Sequence, residues 1–172
     1  EYDGLTGLLS FSHFREETER MIVGGGALNY VVIYSDIENF KFFNQKYGYS
    51  TGDELLREFS QFMIERLKSV AKVYFTRVVA DQFIMFLPPS GEWNEGPVAE
   101  RVNREFEHRV LEKYPEAKVR VRSGIYRIDA SCMSASTAID AANYARKQVS
   151  EGAKRGVVIY DEALARERML EM

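Results

Sequence analysis

Tyr30-Val31-Val32-Ile33-Tyr34 contains no polar interruption. β-branched and aromatic side chains favour extended backbone. The run also lacks the polar–apolar alternation of a strand with one face in water. It therefore predicts a central strand covered on both faces, and a chain with such a strand needs layers above and below it.

The flanking segments carry helical periods that supply those layers. Around Ser10 to Val23, Phe11, Phe14, Thr18, Met21 and Ile22 fall near one face, and Gly24-Gly25-Gly26 ends the helix. A helix through Phe40 and Phe43 follows the strand, with Asp36 expected just past the strand's end. A Tyr47–Gly52 turn then leads to a helix bearing Leu55, Leu56, Phe59, Phe62, Met63 and Leu67. Lys72–Val79 and Phe83–Leu87 read as two strands joined closely enough to form a hairpin. Beyond a Pro88-Pro89-Ser90-Gly91 loop come a helix over Val98–Leu111, a strand over Val119–Ile128, a helix over Ala135–Val149 and a last strand over Val157–Tyr160. Helices alternating with a mixed sheet and a central hairpin indicate an α/β (α+β), ferredoxin-like core of two or three layers.

The 172 residues fit one domain. A net charge of −3 without a long basic run argues against a nucleic-acid backbone binder. Cys132 is the only cysteine, so no internal disulfide forms, and a reducing, cytoplasmic setting is the simpler expectation. No apolar run reaches the roughly 20 residues of a membrane helix. The start at Glu1 suggests a domain cut from a longer protein, with any membrane attachment in segments outside it. His13 and His108 lie in charged helical stretches and read as solvated.

Asp36 near the end of the buried strand and Asp81 on the hairpin face one point if their strands are neighbours. Paired carboxylates with open positions suit Mg²⁺ and phosphoryl or nucleotidyl transfer. Strand-end aspartates also serve simply as helix caps or turn formers, and spacing alone leaves both readings open.

Six stretches resemble the GGDEF domains of the diguanylate cyclase family. Asp3-Gly4-Leu5-Thr6-Gly7-Leu8 matches the family's Asp-x-Leu-Thr-Gly-Leu opening, and Asp36-Ile37-Glu38-Asn39-Phe40-Lys41 its Asp-Ile-Asp-x-Phe-Lys. Asn44 follows at family spacing. Gly48, Gly52, Asp53 and Leu56 match Gly-x-x-x-Gly-Asp-x-x-Leu, and Ser123-Gly124-Ile125 resembles the late Ser-Gly strand. Asp140-Ala141-Ala142-Asn143-Tyr144-Ala145-Arg146-Lys147 is similar to Asp-x-Ala-Leu-Tyr-x-Ala-Lys. The order and spacing of the six, from Asp3 to about Asp161, make the likeness specific.

The resemblance implies a nucleotidyl-cyclase fold with about five strands in a mixed sheet. It also implies chemistry in which two protomers condense two GTP into cyclic di-GMP. Asn44 and Asp53 would read the guanine edge, with Phe40, Lys41 and Lys147 contributing to the nucleotide site. Asp36, the Ile37 carbonyl and Asp81 would hold Mg²⁺.

The name-giving hairpin, however, is Val79-Ala80-Asp81-Gln82-Phe83. Asp81 keeps the metal-binding and hydroxyl-activating carboxylate, and Phe83 keeps the apolar anchor. Both glycines are gone, so Val79 puts a branched side chain where substrate comes close and resists positive φ. Gln82 removes an anion from beside the cation. Glu38 and Gln45 stand where Asp is usual, and Ser10-Phe11-Ser12 replaces Asn-Arg-Arg. Gly152, Lys154 and Arg155 come later than the family's Lys-x-x-Gly-Arg, which weakens the second phosphate contact. The product-inhibition positions map to Val70 and Val73, so no inhibitory site is expected.

The expectation is a catalytically impaired GGDEF domain of bacterial cyclic-di-GMP signalling that binds GTP as a regulatory or interaction module. Its expected partners are neighbouring domains and a homodimeric copy, and not nucleic acid. The alternatives are an active diguanylate cyclase and a ligand-free docking domain.

Overall fold

The computed structural model describes residues 1–70, 72–89, 93 and 96–172. Eleven elements follow one another along the chain: α1 (Phe11–Val23), β1 (Val31–Glu38), α2 (Phe40–Tyr47), α3 (Tyr49–Arg66), β2 (Tyr74–Val79), β3 (Gln82–Leu87), α4 (Gly96–Lys113), β4 (Arg120–Arg127), α5 (Ala135–Lys147), β5 (Val157–Ile159) and α6 (Glu162–Glu171). The expected order holds, with α6 added at the end. The sequence offers little signal for α6 because it buries only Leu164. Its start is marked by Asp161, whose side chain accepts the Leu164 N–H. The Ser90 and Gly91 end of the expected loop lies outside the described residues.

The five strands form one sheet in the order β2-β3-β1-β4-β5. β1 runs antiparallel to β3 and β4, and β5 is parallel to β4. The apolar run is therefore the middle strand, as its lack of alternation requires.

Strand pleating assigns its side chains to two cores. Val31, Ile33 and Ile37 pack with Leu55, Phe59, Met63, Phe83 and Phe106 under α3 and α4. Val32 and Tyr34 pack with Phe14, Ile84, Phe86, Ala138 and Ala142 under α1 and α5. The architecture is thus three layers. By the same alternation, Asp36 lies on the α1/α5 face.

Two differences from the sequence reading bear on the site. β1 does not stop at Tyr34: pairing with β4 extends it to Glu38, opposite Arg120, so Asp36 lies within the strand and faces Arg122 in register. Nor do residues 47–52 form an open turn. Gly48 alone, at φ +93°, breaks the chain, and α3 begins at Tyr49. Gly52 is therefore a helical residue.

Candidate functional site

The opening motif folds as a clasp. The Asp3 carboxylate accepts from the Thr6 N–H at 2.9 Å and the Thr6 hydroxyl at 2.6 Å. It also accepts two guanidinium N–H groups of Arg77, each at 2.9 Å. A third N–H of Arg77 donates to the Ala80 carbonyl at 3.1 Å. Asp3 thus tethers the N-terminal segment to the hairpin through Arg77, a residue that sequence reasoning passed over. Burial acts to raise the Asp3 carboxyl, but hydrogen bonds from Arg77 and Thr6 outweigh it and hold the group at about 2.

The hairpin closes with Val79 paired to Gln82. Ala80, not Val79, adopts the left-handed backbone, at φ +46°. The expected conflict between Val79 and positive φ does not arise, and the strain moves to a residue with a smaller side chain. Val79 remains 59% exposed at the hairpin's outer side.

Both polar residues of the hairpin are engaged from within. Asp81 Oδ2 accepts the Ile37 N–H at 3.1 Å, and Gln82 Oε1 accepts the Tyr34 hydroxyl at 2.8 Å. Burial pushes the Asp81 carboxyl above its ordinary value, against the Ile37 N–H that favours its charge, and nearby Asp36 adds to the rise. Phe83 is fully buried, with its ring 4.8 Å from Phe59.

On the opposite side of Gly48, α2 and α3 bring Asn44 against Gly52. The Asn44 Oδ1 is buried and accepts no hydrogen bond. It occupies the space a side chain at position 52 would fill: a Cβ there would lie 1.7 Å from it. Asp53 and Lys41 are exposed nearby in sequence, and Phe40 is half-buried. A buried acceptor without a donor is unusual in a folded protein. Lys147 is exposed on α5. Val70 and Val73 are partly buried and pack against the core.

Asp36 is only 4% exposed, and its oxygens already have donors. Arg122 donates its Nε to Oδ1 at 2.9 Å and Nη2 to Oδ2 at 2.6 Å. Arg146 donates Nη1 to Oδ2 as well. The neighbouring Asp36 carboxylate raises the Arg122 guanidinium above its ordinary value, against the effect of its burial. Mg²⁺, the cofactor expected with this family, requires oxygen ligands with open positions. Three guanidinium donors take most of the acceptor capacity of Asp36 and set two positive charges against it, so these residues fit a divalent cation poorly.

The family model for the diguanylate cyclase GGDEF domain matches residues 1–155. The diguanylate cyclase DosC of Escherichia coli K12 is 32% identical over 94 residues, covering 55% of this chain and 20% of that protein. The diguanylate cyclase DgcS of Shewanella oneidensis is 27% identical over 90 residues, covering 50% of this chain and 29% of that protein. The chain thus spans less than a third of the length of these curated relatives.

Among solved structures, the GGDEF domain of DgcB from Caulobacter crescentus, in complex with c-di-GMP, superposes with a TM-score of 0.78 at 24% identity, covering 94% of this chain and 93% of that one. The GGDEF domain of TpbB (YfiN) from Pseudomonas aeruginosa gives 0.76 at 19% identity, with both chains fully covered. At these identities the structural likeness concerns the fold. The family match over most of the length decides the rest: the chain belongs to the GGDEF domain family of diguanylate cyclases, the family of cyclic-di-GMP signalling.

Proposed function

We propose that this domain is a guanine-nucleotide-binding regulatory module of cyclic-di-GMP signalling whose own cyclase chemistry is impaired. The observation that carries the reading is the buried, unpaired Oδ1 of Asn44 beside Gly52. The Asn44 amide carries both a donor and an acceptor, complementary to the groups of a guanine edge. Exposed Asp53 adds a carboxylate acceptor for the same edge, and Lys41 a cation for the phosphates.

The impairment rests on the hairpin. Asp81 is tied to the Ile37 N–H, and a neutral Gln82 is tied to Tyr34. A carboxyl tied inward to a backbone N–H, beside a neutral amide instead of a second acid, is poorly placed to activate a hydroxyl.

Titration calorimetry with GTP and with ATP tests the binding. GTP binds in the micromolar to millimolar range, ATP binds more weakly, and Asn44→Ala or Asp53→Ala abolishes the difference. Absence of heat at millimolar GTP would leave a docking role only. For the chemistry, concentrated protein incubated with GTP and Mg²⁺ yields no cyclic di-GMP by chromatography. Product formed at the rate of a relative with an intact motif would overturn the impairment. The triple change Val79→Gly, Ala80→Gly and Gln82→Glu then asks whether the hairpin is the lesion.

A further inference from the structure

The clamp on Asp36 is assembled from residues outside the hairpin, and it addresses a different part of the chemistry. Arg146 lies on α5 and is 7% exposed. Burying a guanidinium this deeply is costly unless every side of it is partnered. Here it is. Nη1 donates to Asp36, while Nε and Nη2 donate to Asn143 Oδ1 at 3.0 and 2.7 Å. The guanidinium also stands over the Tyr34 ring, 5.1 Å from its centroid.

Asn143 and Arg146 are one helical turn apart, which puts them on the same face. They are also the two positions at which the 140–147 stretch departs from Asp-x-Ala-Leu-Tyr-x-Ala-Lys, replacing Leu and Ala. Asn143 thereby supplies Arg146 with an acceptor in addition to Asp36.

Arg122 completes the cluster from β4. It is directly opposite Asp36 in register and on the same face of the sheet. Next to it along the strands, Arg120 approaches Glu38 at 3.8 Å. The acids that interact here include Asp36, Glu38, Asp81 and Glu107, and the cations Arg120, Arg122 and Arg146. Glu38 Oε2 is buried without a hydrogen-bond partner, so the guanidinium donors are concentrated on Asp36.

We infer that the Arg122–Arg146 guanidinium pair stands in for a divalent cation at Asp36, so that this chain holds no Mg²⁺ or Mn²⁺ there. The inference rests on the family assignment of Asp36 and is independent of nucleotide binding. Every measurement below is made without nucleotide, so its failure is distinct from a failure to bind GTP.

Uptake of Mn²⁺, read from loss of the free-ion electron paramagnetic resonance signal, is compared in three proteins. The wild type leaves the signal unchanged at millimolar Mn²⁺. Arg122→Ala/Arg146→Ala removes the built-in cations and exposes the acids, giving at least roughly tenfold tighter uptake. Adding Asp36→Asn to that variant removes the uptake again. Asp36-dependent uptake by the wild type overturns the inference, as does a folded double variant that takes up none.

A second measurement holds even if the double variant does not fold. Asp36→Asn in the wild-type background lowers Tm by several degrees, because two guanidiniums lose their counter-charge. Exchanging EDTA for millimolar Mg²⁺ leaves the wild-type Tm where it was. A Tm raised by Asp36→Asn would mean an acidic cluster relieved of repulsion, and the inference fails. A Mg²⁺-induced rise that depends on Asp36 sinks it equally.

Discussion

Gly52→Ala separates folding from ligand binding at the Asn44 site. A Cβ on residue 52 would sit 1.7 Å from Asn44 Oδ1 and 2.9 Å from Asn44 Cγ. Unstrained carbon contacts lie at about 3.5–4.0 Å, so both atoms must leave. The obstacle is a side chain, and rotating it into another well costs about 1 kcal/mol. The helix gains about 1 kcal/mol when alanine replaces glycine within it. These two nearly cancel, so unfolding stability stays within about 1 kcal/mol of the wild type, or about 2–4 °C in Tm for a chain this size. Binding does not cancel. Displacing the amide removes one hydrogen bond to the base and leaves a polar edge unpaired, together worth about 2 kcal/mol. That corresponds to a GTP affinity about 30-fold weaker. Calorimetry with GTP, run beside thermal melts of both proteins, reads the two effects apart. An unchanged GTP affinity in a folded Gly52→Ala protein would refute the claim that this amide meets the nucleotide.

Three further predictions concern stability. Asp3 is held at about 2, below its ordinary 3.8, so its pair with Arg77 contributes above about pH 4 and is lost as pH falls toward 2. Urea unfolding finds Asp3→Asn less stable by about 1 kcal/mol at pH 7, after allowing for solvent at a partly open pair, with the gap closing by about pH 2; a gap constant across pH contradicts this. Ala80→Gly relieves the left-handed backbone at φ +46° and raises stability by about 0.5–1 kcal/mol, net of glycine's larger unfolded-state entropy. A lowered Tm would show that Ala80 is not strained. Gly124→Ala puts a Cβ 2.1 Å from the Ala142 carbonyl oxygen and 2.2 Å from the Arg146 nitrogen. These are backbone atoms that cannot rotate away, so α5 must lift from β4 at a cost of about 3 kcal/mol. A melt within a degree of the wild type would contradict that contact.

Most of the fold was legible because its signals are local. The Tyr30–Tyr34 run, the helical periods around Phe14 and Phe59, and the short link between Val79 and Gln82 each fix an element from neighbouring residues. The misses share a cause. β1 continues through polar residues to Glu38 because β4 supplies partners, and no local pattern announces a partner more than 80 residues away. α6 was missed because it buries one residue and so leaves almost no apolar period to read.

The candidate site divides the same way. Asp36, Asn44, Asp53 and Asp81 were found from spacing and resemblance, and the hairpin's lost glycines were plain in the letters. Arg77 and Arg122 read as ordinary strand residues, and Arg146 as one more charge on a helix. Residue identity set which groups the chain possesses; only tertiary packing set which of them meet. Pleating turns Asp36 toward α5, register brings Arg122 opposite, and the close approach of α5 over Gly124 carries Arg146 inward. Electrostatic interaction falls off with separation and depends on burial. The state of a charged site is therefore decided by distances that a sequence does not contain.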